Sequence, residues 1–173
     1  MSIVAITSAR DLDRYRALRL EALATDPDAF GSTIDHETEF DDAEWARRMD
    51  SFRGEPGQIL VATDDGRDIG VVGIGVRRAP VEHLATPSHI DAVLWGMWVR
   101  PADRGRGAAR ELIDAAIGWA RRHDATDVVL AVRRDNHAAI ELYRSVGFED
   151  TDSAGLTVGG PCSGELEMRR PVG

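Results

Sequence analysis

Apolar residues along this chain recur at two spacings, alternating in some stretches and every three to four residues in others. Ser2 to Ile6 reads as a short strand. From Arg10 to about Ala24, the residues Leu12, Tyr15, Leu18, Leu20 and Leu23 give an approximate helical stripe. Asp26-Pro27-Asp28 ends it, because proline disfavours a helical residue before it. A second helix is expected over Asp42 to Phe52, with Asp41 or Asp42 as N-cap. Gln58 to Thr63 and Asp68 to Val76 read as strands joined at Asp64-Asp65-Gly66, a tight-turn signature. Pro80 to His89 reads as an irregular connection, and Ala92 to Val99 as an apolar, aromatic-rich strand ended by Pro101.

The second half changes character. Ala109, Leu112, Ile113, Ala116, Ile117 and Ala120 form the apolar face of a helix, opposite Arg110, Glu111, Asp114, Arg121 and Arg122. Asp127 to Val132 then forms a compact strand, so strand, crossover helix and strand make a parallel unit with a right-handed connection. A further helix from about Asn136 to Val146 ends at Gly147, and late strands are expected at Phe148–Thr151 and Gly164–Arg169. The predicted class is mixed α/β (α+β), with hairpins first and a parallel crossover later. No repeat or linker interrupts it, so residues 1–173 are read as one domain.

Composition narrows the partners. A net charge of −9 disfavours nucleic acid and anionic membrane. No apolar run approaches the ~20 residues of a membrane span. The N-terminal residues carry no basic leader, and Cys162, the sole cysteine, cannot form an intrachain disulfide, so the cytoplasm is the expected compartment. Positive charge is nevertheless concentrated at Arg100, Arg104, Arg106 and Arg110.

That concentration coincides with the turn Arg104-Gly105-Arg106-Gly107-Ala108-Ala109, between a strand and an amphipathic helix. Glycines let the backbone approach a ligand, while the first helical amides lack intrahelical acceptors and sit at the positive end of the dipole. Arginine has the wrong sign for a helix start unless a multiply charged anion such as a diphosphate docks there. No lysine followed by Ser or Thr marks a Walker loop, and Arg110 stands where a dinucleotide fingerprint needs Gly or Ala. A glycine turn with solvent-facing arginines is the alternative.

Arg104-x-x-Gly107-x-Ala109 resembles the R/Q-x-x-G-x-G/A signature of the GNAT acetyltransferase superfamily. The likeness continues through Val132, Asn136, Ala139 and Leu142-Tyr143-Arg144-Ser145-Val146-Gly147-Phe148, covering roughly Leu94 to Glu149. It implies an acyl-CoA N-acyltransferase fold: a mostly antiparallel sheet with a parallel crossover, a splayed strand pair and helices on both faces. It also implies acetyl-CoA as cosubstrate, with no metal. The diphosphate would lie on the amides of Arg104, Gly105, Arg106, Gly107, Ala108 and Ala109, and the pantetheine arm along the main chain of Met97, Trp98 and Val99. Asn136, alternatively a plain N-cap, would contact the cofactor near Ala139. Tyr143, two turns further and about 10 Å along the axis, would sit near the sulfur as general acid. An N–H, most simply that of Val99, would stabilise the oxyanion.

The general base is not evident, since Val93-Leu94-Trp95-Gly96-Met97-Trp98 holds no carboxylate. Asp91, Glu82, His83, Asp35, Glu37 and Glu39 are outside candidates, each read first as a solvated loop residue. In this fold the loop after the first helix lines the acceptor side, which points to Phe30, Gly31 and Ser32 for binding a small-molecule amine. A peptide or protein acetyltransferase and a non-catalytic acyl-CoA-binding module stay open, as does a homodimer. No zinc-protease or Gly-x-Ser-x-Gly pattern occurs, and Cys162 reads as structural.

Overall fold

The computed structural model describes residues 1–52, 54–78, 90–151 and 164–173. The expected 80–89 connection, Glu82, His83 and Cys162 lie outside the described residues. In chain order the elements are β1 (Ser2–Ile6), α1 (Ser8–Thr25), a 3-10 turn (Pro27–Ala29), α2 (Ile34–Thr38), α3 (Asp42–Asp50), β2 (Ser51–Phe52), β3 (Glu55–Asp64) and β4 (Arg67–Arg78). Then come β5 (Ile90–Val99), a 3-10 turn (Pro101–Asp103), α4 (Ala108–Arg122), β6 (Asp127–Arg133), α5 (His137–Ser145), β7 (Glu149–Asp150) and β8 (Glu165–Pro171).

The sheet runs β1-β3-β4-β5-β6-β8-β7, with β2 flanking β3. Every pairing is antiparallel except β5 with β6. The β3–β4 hairpin closes where expected, with Asp65 and Gly66 both at positive φ, the geometry a two-residue hairpin turn requires. Strand β3 is buried on both faces. Ile59 and Val61 pack with Tyr15, Leu18, Trp45 and Met49 under α1 and α3, whereas Leu60 and Ala62 pack with Leu112, Ile113 and Ala116 under α4. Burial of each large aliphatic side chain contributes about 1.5–3 kcal/mol, so this two-sided core fixes which helices lie on which face.

Three expectations need correction. The segment after Pro27 is not a plain loop: it holds α2, capped by Thr33, whose hydroxyl accepts from the His36 amide at 3.3 Å. Helix α3 ends at Asp50, because Ser51 and Phe52 pair with Pro56 and Glu55; its cap is Asp41, which accepts from the Glu44 amide at 2.8 Å. Glu37 and Asp91 are not solvated loop residues but buried partners of arginines.

Strands β5 and β6 open the middle of the sheet. They pair over only three residues, Asp91–Val93 against Asp127–Val129, and then separate, so the strands form a V. Its closed end carries two aspartates on adjacent strands. Arg169 of β8 donates from Nη1 to Asp91 at 3.1 Å and to Asp127 at 2.8 Å, and Arg77 of β4 donates to Asp91 at 2.8 Å. Without these cations two neighbouring buried carboxylates would repel. Arg169→Met is therefore expected to destabilise the fold by about 3 kcal/mol, the low end for a broken buried pair since the arginine is partly exposed. Urea unfolding followed by circular dichroism measures it, and an unshifted midpoint would mean that the clamp contributes nothing.

Candidate active site

The open end of the V is shaped by one irregularity. Val71 faces Trp98 and Gly73 faces Trp95, so Gly96 and Met97 of β5 together oppose Val72. This bulge needs a left-handed residue, and Gly96 sits at φ +59. Bulging bends β5 away from β6 and interrupts its ladder beside the gap. The Trp95 ring rests against Gly73, where a Cβ would come within 2.2 Å of it.

Past β5 the chain turns through Arg104–Gly107 into α4. Gly105 and Gly107 have φ +74 and +92, and Gly107 caps the helix. The first bond of the helix runs from the Glu111 amide to the Gly107 carbonyl. Among the described residues, the amides of residues 105–110 therefore donate to no protein group, leaving a row of N–H donors where the sequence predicts an anion cradle.

The arginines are mostly committed elsewhere. Arg100 pairs with Glu21 (2.7 Å from Nε) and donates to the Asp68 carbonyl, away from the cradle. Arg104 donates from Nε to the Val99 carbonyl at 2.8 Å and from Nη2 to Asp26 at 2.6 Å. Arg106 pairs with Asp103 and Asp64 through its guanidinium, while its amide stays among the free ones of the turn. Arg110 bonds Ser145 Oγ at 3.3 Å and has no carboxylate partner among the described residues.

Two clefts converge here. One, of about 520 Å³, is bounded by Met97, Trp98 and Val99 of β5, by Arg104, Gly105, Gly107, Ala108 and Ala109 of the turn, and by Asn136, Ala139 and Tyr143. The other, of about 490 Å³, lies between Leu94–Met97 and Leu130–Asn136, with Ala29, Phe30 and Gly31 also lining it. Ala29, Met97, Asn136, Ala139 and Tyr143 border both. Asn136 is also the N-cap of α5, its Oδ1 accepting from the Ala139 amide at 3.2 Å. The Tyr143 ring meets Phe148 edge-on at 5.6 Å, and burial pushes its phenol well above the ordinary value of 10.0. Of the three residues expected on the acceptor side, Phe30 and Gly31 line the second cleft, whereas the Ser32 hydroxyl oxygen is buried on the side of Glu37.

None of the described base candidates reaches either cleft. Glu37 and Asp91 are buried in ion pairs, while Asp35 and Glu39 are exposed elsewhere. The carboxylates that do border the second cleft are Asp135 and Glu165. Asp135 is paired with Arg133 at 2.6 Å, and that guanidinium holds its carboxyl below the ordinary value. Sequence reading also missed Asp26, which accepts from both Trp98 Nε1 at 2.8 Å and Arg104. It had registered only as the end of a helix.

The profile of the Acetyltransferase (GNAT) family matches residues 20–148. The L-methionine sulfoximine/L-methionine sulfone acetyltransferase of Pseudomonas aeruginosa is 33% identical over 130 residues, covering 73% of this chain and 72% of that protein. The L-2,4-diaminobutyric acid acetyltransferase of Nocardia farcinica is 34% identical over 94 residues, covering 54% of this chain and 45% of that protein. The chain thus spans about half the length of several curated relatives it matches. Among solved structures, a GNAT-family acetyltransferase from Streptococcus pneumoniae superposes with a TM-score of 0.72 at 20% identity, over 99% of both chains.

The cradle itself can be tested for strain. An added Cβ at Gly107 meets nothing within 4 Å, so only the backbone conformation opposes it. Gly107→Ala is expected to cost about 1–2 kcal/mol, read as a lowered melting temperature, whereas an unchanged one would mean that the turn relaxes freely.

Proposed function

Because the chain belongs to the GNAT acetyltransferase family, we propose that it transfers the acetyl group of acetyl-CoA to a primary amine of a small molecule by direct attack. The observation that carries this reading is the meeting of two clefts at Tyr143: one floored by free helix-start amides, the other walled by aromatic and aliphatic groups with carboxylates at its edge. Bound acetyl-CoA would supply an acetyl group already activated as a thioester.

The chain's own groups then have distinct tasks. The amides of residues 105–110 hold the diphosphate, with Arg110 as the cation available to it. The separated edge of β5 at Met97, Trp98 and Val99 offers main-chain donors and acceptors to an extended amide-bearing arm, as a sheet edge does for a peptide. An N–H on that edge, at Val99 in this reading, stabilises negative charge developing on the carbonyl oxygen. Tyr143 supplies a proton to the departing sulfur. Its burial penalises the phenolate, so the proton stays in place through neutral pH and beyond 10.0, its ordinary pKa. The same exclusion of water raises the proton affinity of a thiolate formed beside it, keeping donor and acceptor matched. Glu165 at the edge of the second cleft attracts an ammonium, and water between cleft and solvent carries its proton away. The relatives that act on methionine sulfoximine and diaminobutyric acid favour an amino-acid-like amine over a protein N-terminus.

Thiol release from acetyl-CoA, measured across amino acids, polyamines, aminoglycosides and short peptides, tests the reaction. Turnover with a small amine is expected, and turnover with peptides alone would replace the reading. Tyr143→Phe is expected to lower kcat by about 10²–10⁴-fold while calorimetric acetyl-CoA affinity stays within twofold. Since the native phenol does not titrate below 10.0, the pH profile between about 6 and 9 should keep its shape in this variant. A lost alkaline limb in that range would assign it to Tyr143 and contradict the raised pKa.

A further inference from the structure

Glu37 borders neither cleft, yet it is completely buried. It accepts from Arg19 Nε at 2.9 Å and Nη2 at 2.7 Å, a forked pair joining α1 to α2, and Arg48 Nη1 lies 3.4 Å from the same carboxylate. Burial alone would raise this carboxyl, but the Arg19 hydrogen bonds and charge, with Ser32 and Arg48, hold it below its ordinary value. It therefore keeps Arg19 paired at neutral pH. A buried ion pair adds little stability over packed hydrocarbon, because desolvation offsets its attraction. What such a pair supplies is a rigid, oriented cation.

The orientation is informative. The Arg19 guanidinium lies 4.6 Å from the centre of the Phe30 ring. Nη1, the nitrogen that Glu37 does not use, lies 3.6 Å from where a Gly96 Cβ would stand. Phe30 belongs to the segment after α1 and Gly96 to the bulge of β5, and both line the second cleft. Arg19 thus lies against the Phe30 ring and beside the open side of Gly96 without itself lining the cleft.

We propose that Arg19, locked by Glu37, is a positioning residue that sets the spacing of the Phe30 and Gly96 walls and thereby selects which amines the second cleft accepts. This rests on the acetyl-transfer reading. Arg19→Met removes both contacts, while Phe30→Leu removes the stacking and spares the ion pair. In Arg19→Met the acceptor KM should rise at least tenfold, with the acetyl-CoA KM within twofold and kcat falling less than the KM rises. Phe30→Leu should reorder preference among acceptors of different width. Amide exchange at residues 28–32 and 95–97 should accelerate together in Arg19→Met, without a change in calorimetric acetyl-CoA affinity. Equal rises in both KM values, an unchanged acceptor KM, or exchange that accelerates in neither segment would overturn the proposal. If Arg19→Met does not fold, unaltered acceptor ranking in Phe30→Leu overturns it. A wild-type chain that acetylates nothing would sink the reading beneath it, whereas the exchange comparison still decides whether Arg19 ties the two walls.

Discussion

Parallel strands that pair for three residues and then part are the constraint on which the site depends. A strand inside a sheet normally has both edges satisfied, and buried peptide groups without partners are costly. Beyond Val93, β5 keeps its β4 partner but loses β6, so one edge faces a gap between elements that are otherwise firmly packed. The result is an edge strand in the interior, protected from association with other chains yet able to pair with something narrow. The ion-paired aspartates fix where the gap begins, and the Gly96 bulge sets how β5 bends beside it.

Charge is arranged with comparable economy. In a chain of net charge −9, the arginines near the cradle do not form a free cationic patch. Glu21, Asp26, Asp64 and Asp103 neutralise three of them. What the turn offers an anion is then mainly oriented peptide amides and the dipole of a fifteen-residue helix, which carry no counter-ion of their own. Exposed ion pairs are worth about 0.2–1 kcal/mol, so the pairs of Arg104 and Arg106 add little to stability.

Much of the fold was readable from the chain. The α4 stripe, the Asp65-Gly66 turn and Gly147 after α5 each carry a local signal, and the structure has all three. The cradle was legible because glycine spacing and helix amphipathicity act within a few residues. What escaped the sequence depends on long-range partners. Glu37 meets Arg19 across 18 positions and Asp26 meets Trp98 across 72, and nothing local distinguishes either acid from a solvated one. The Arg106–Asp64 pair spans 42 positions and is equally invisible to local pattern. Helix α2, at five residues, is too short for its periodicity to register.

Asp26 lines the first cleft, and Phe30 and Gly31, a few positions on, line the second. One Asp26 carboxylate oxygen, Oδ2, joins the Trp98 indole on β5 to the guanidinium of Arg104, and the chain just beyond it goes on to line the second cleft. The helix upstream of that bond is anchored to the sheet, whereas Phe30, just downstream, is held by the Arg19 guanidinium instead. Substitutions at Phe30 or Gly31 can therefore remodel the second cleft while the first keeps its seating on Asp26, so that diversification of the two surfaces separates just past Ala29, which both share.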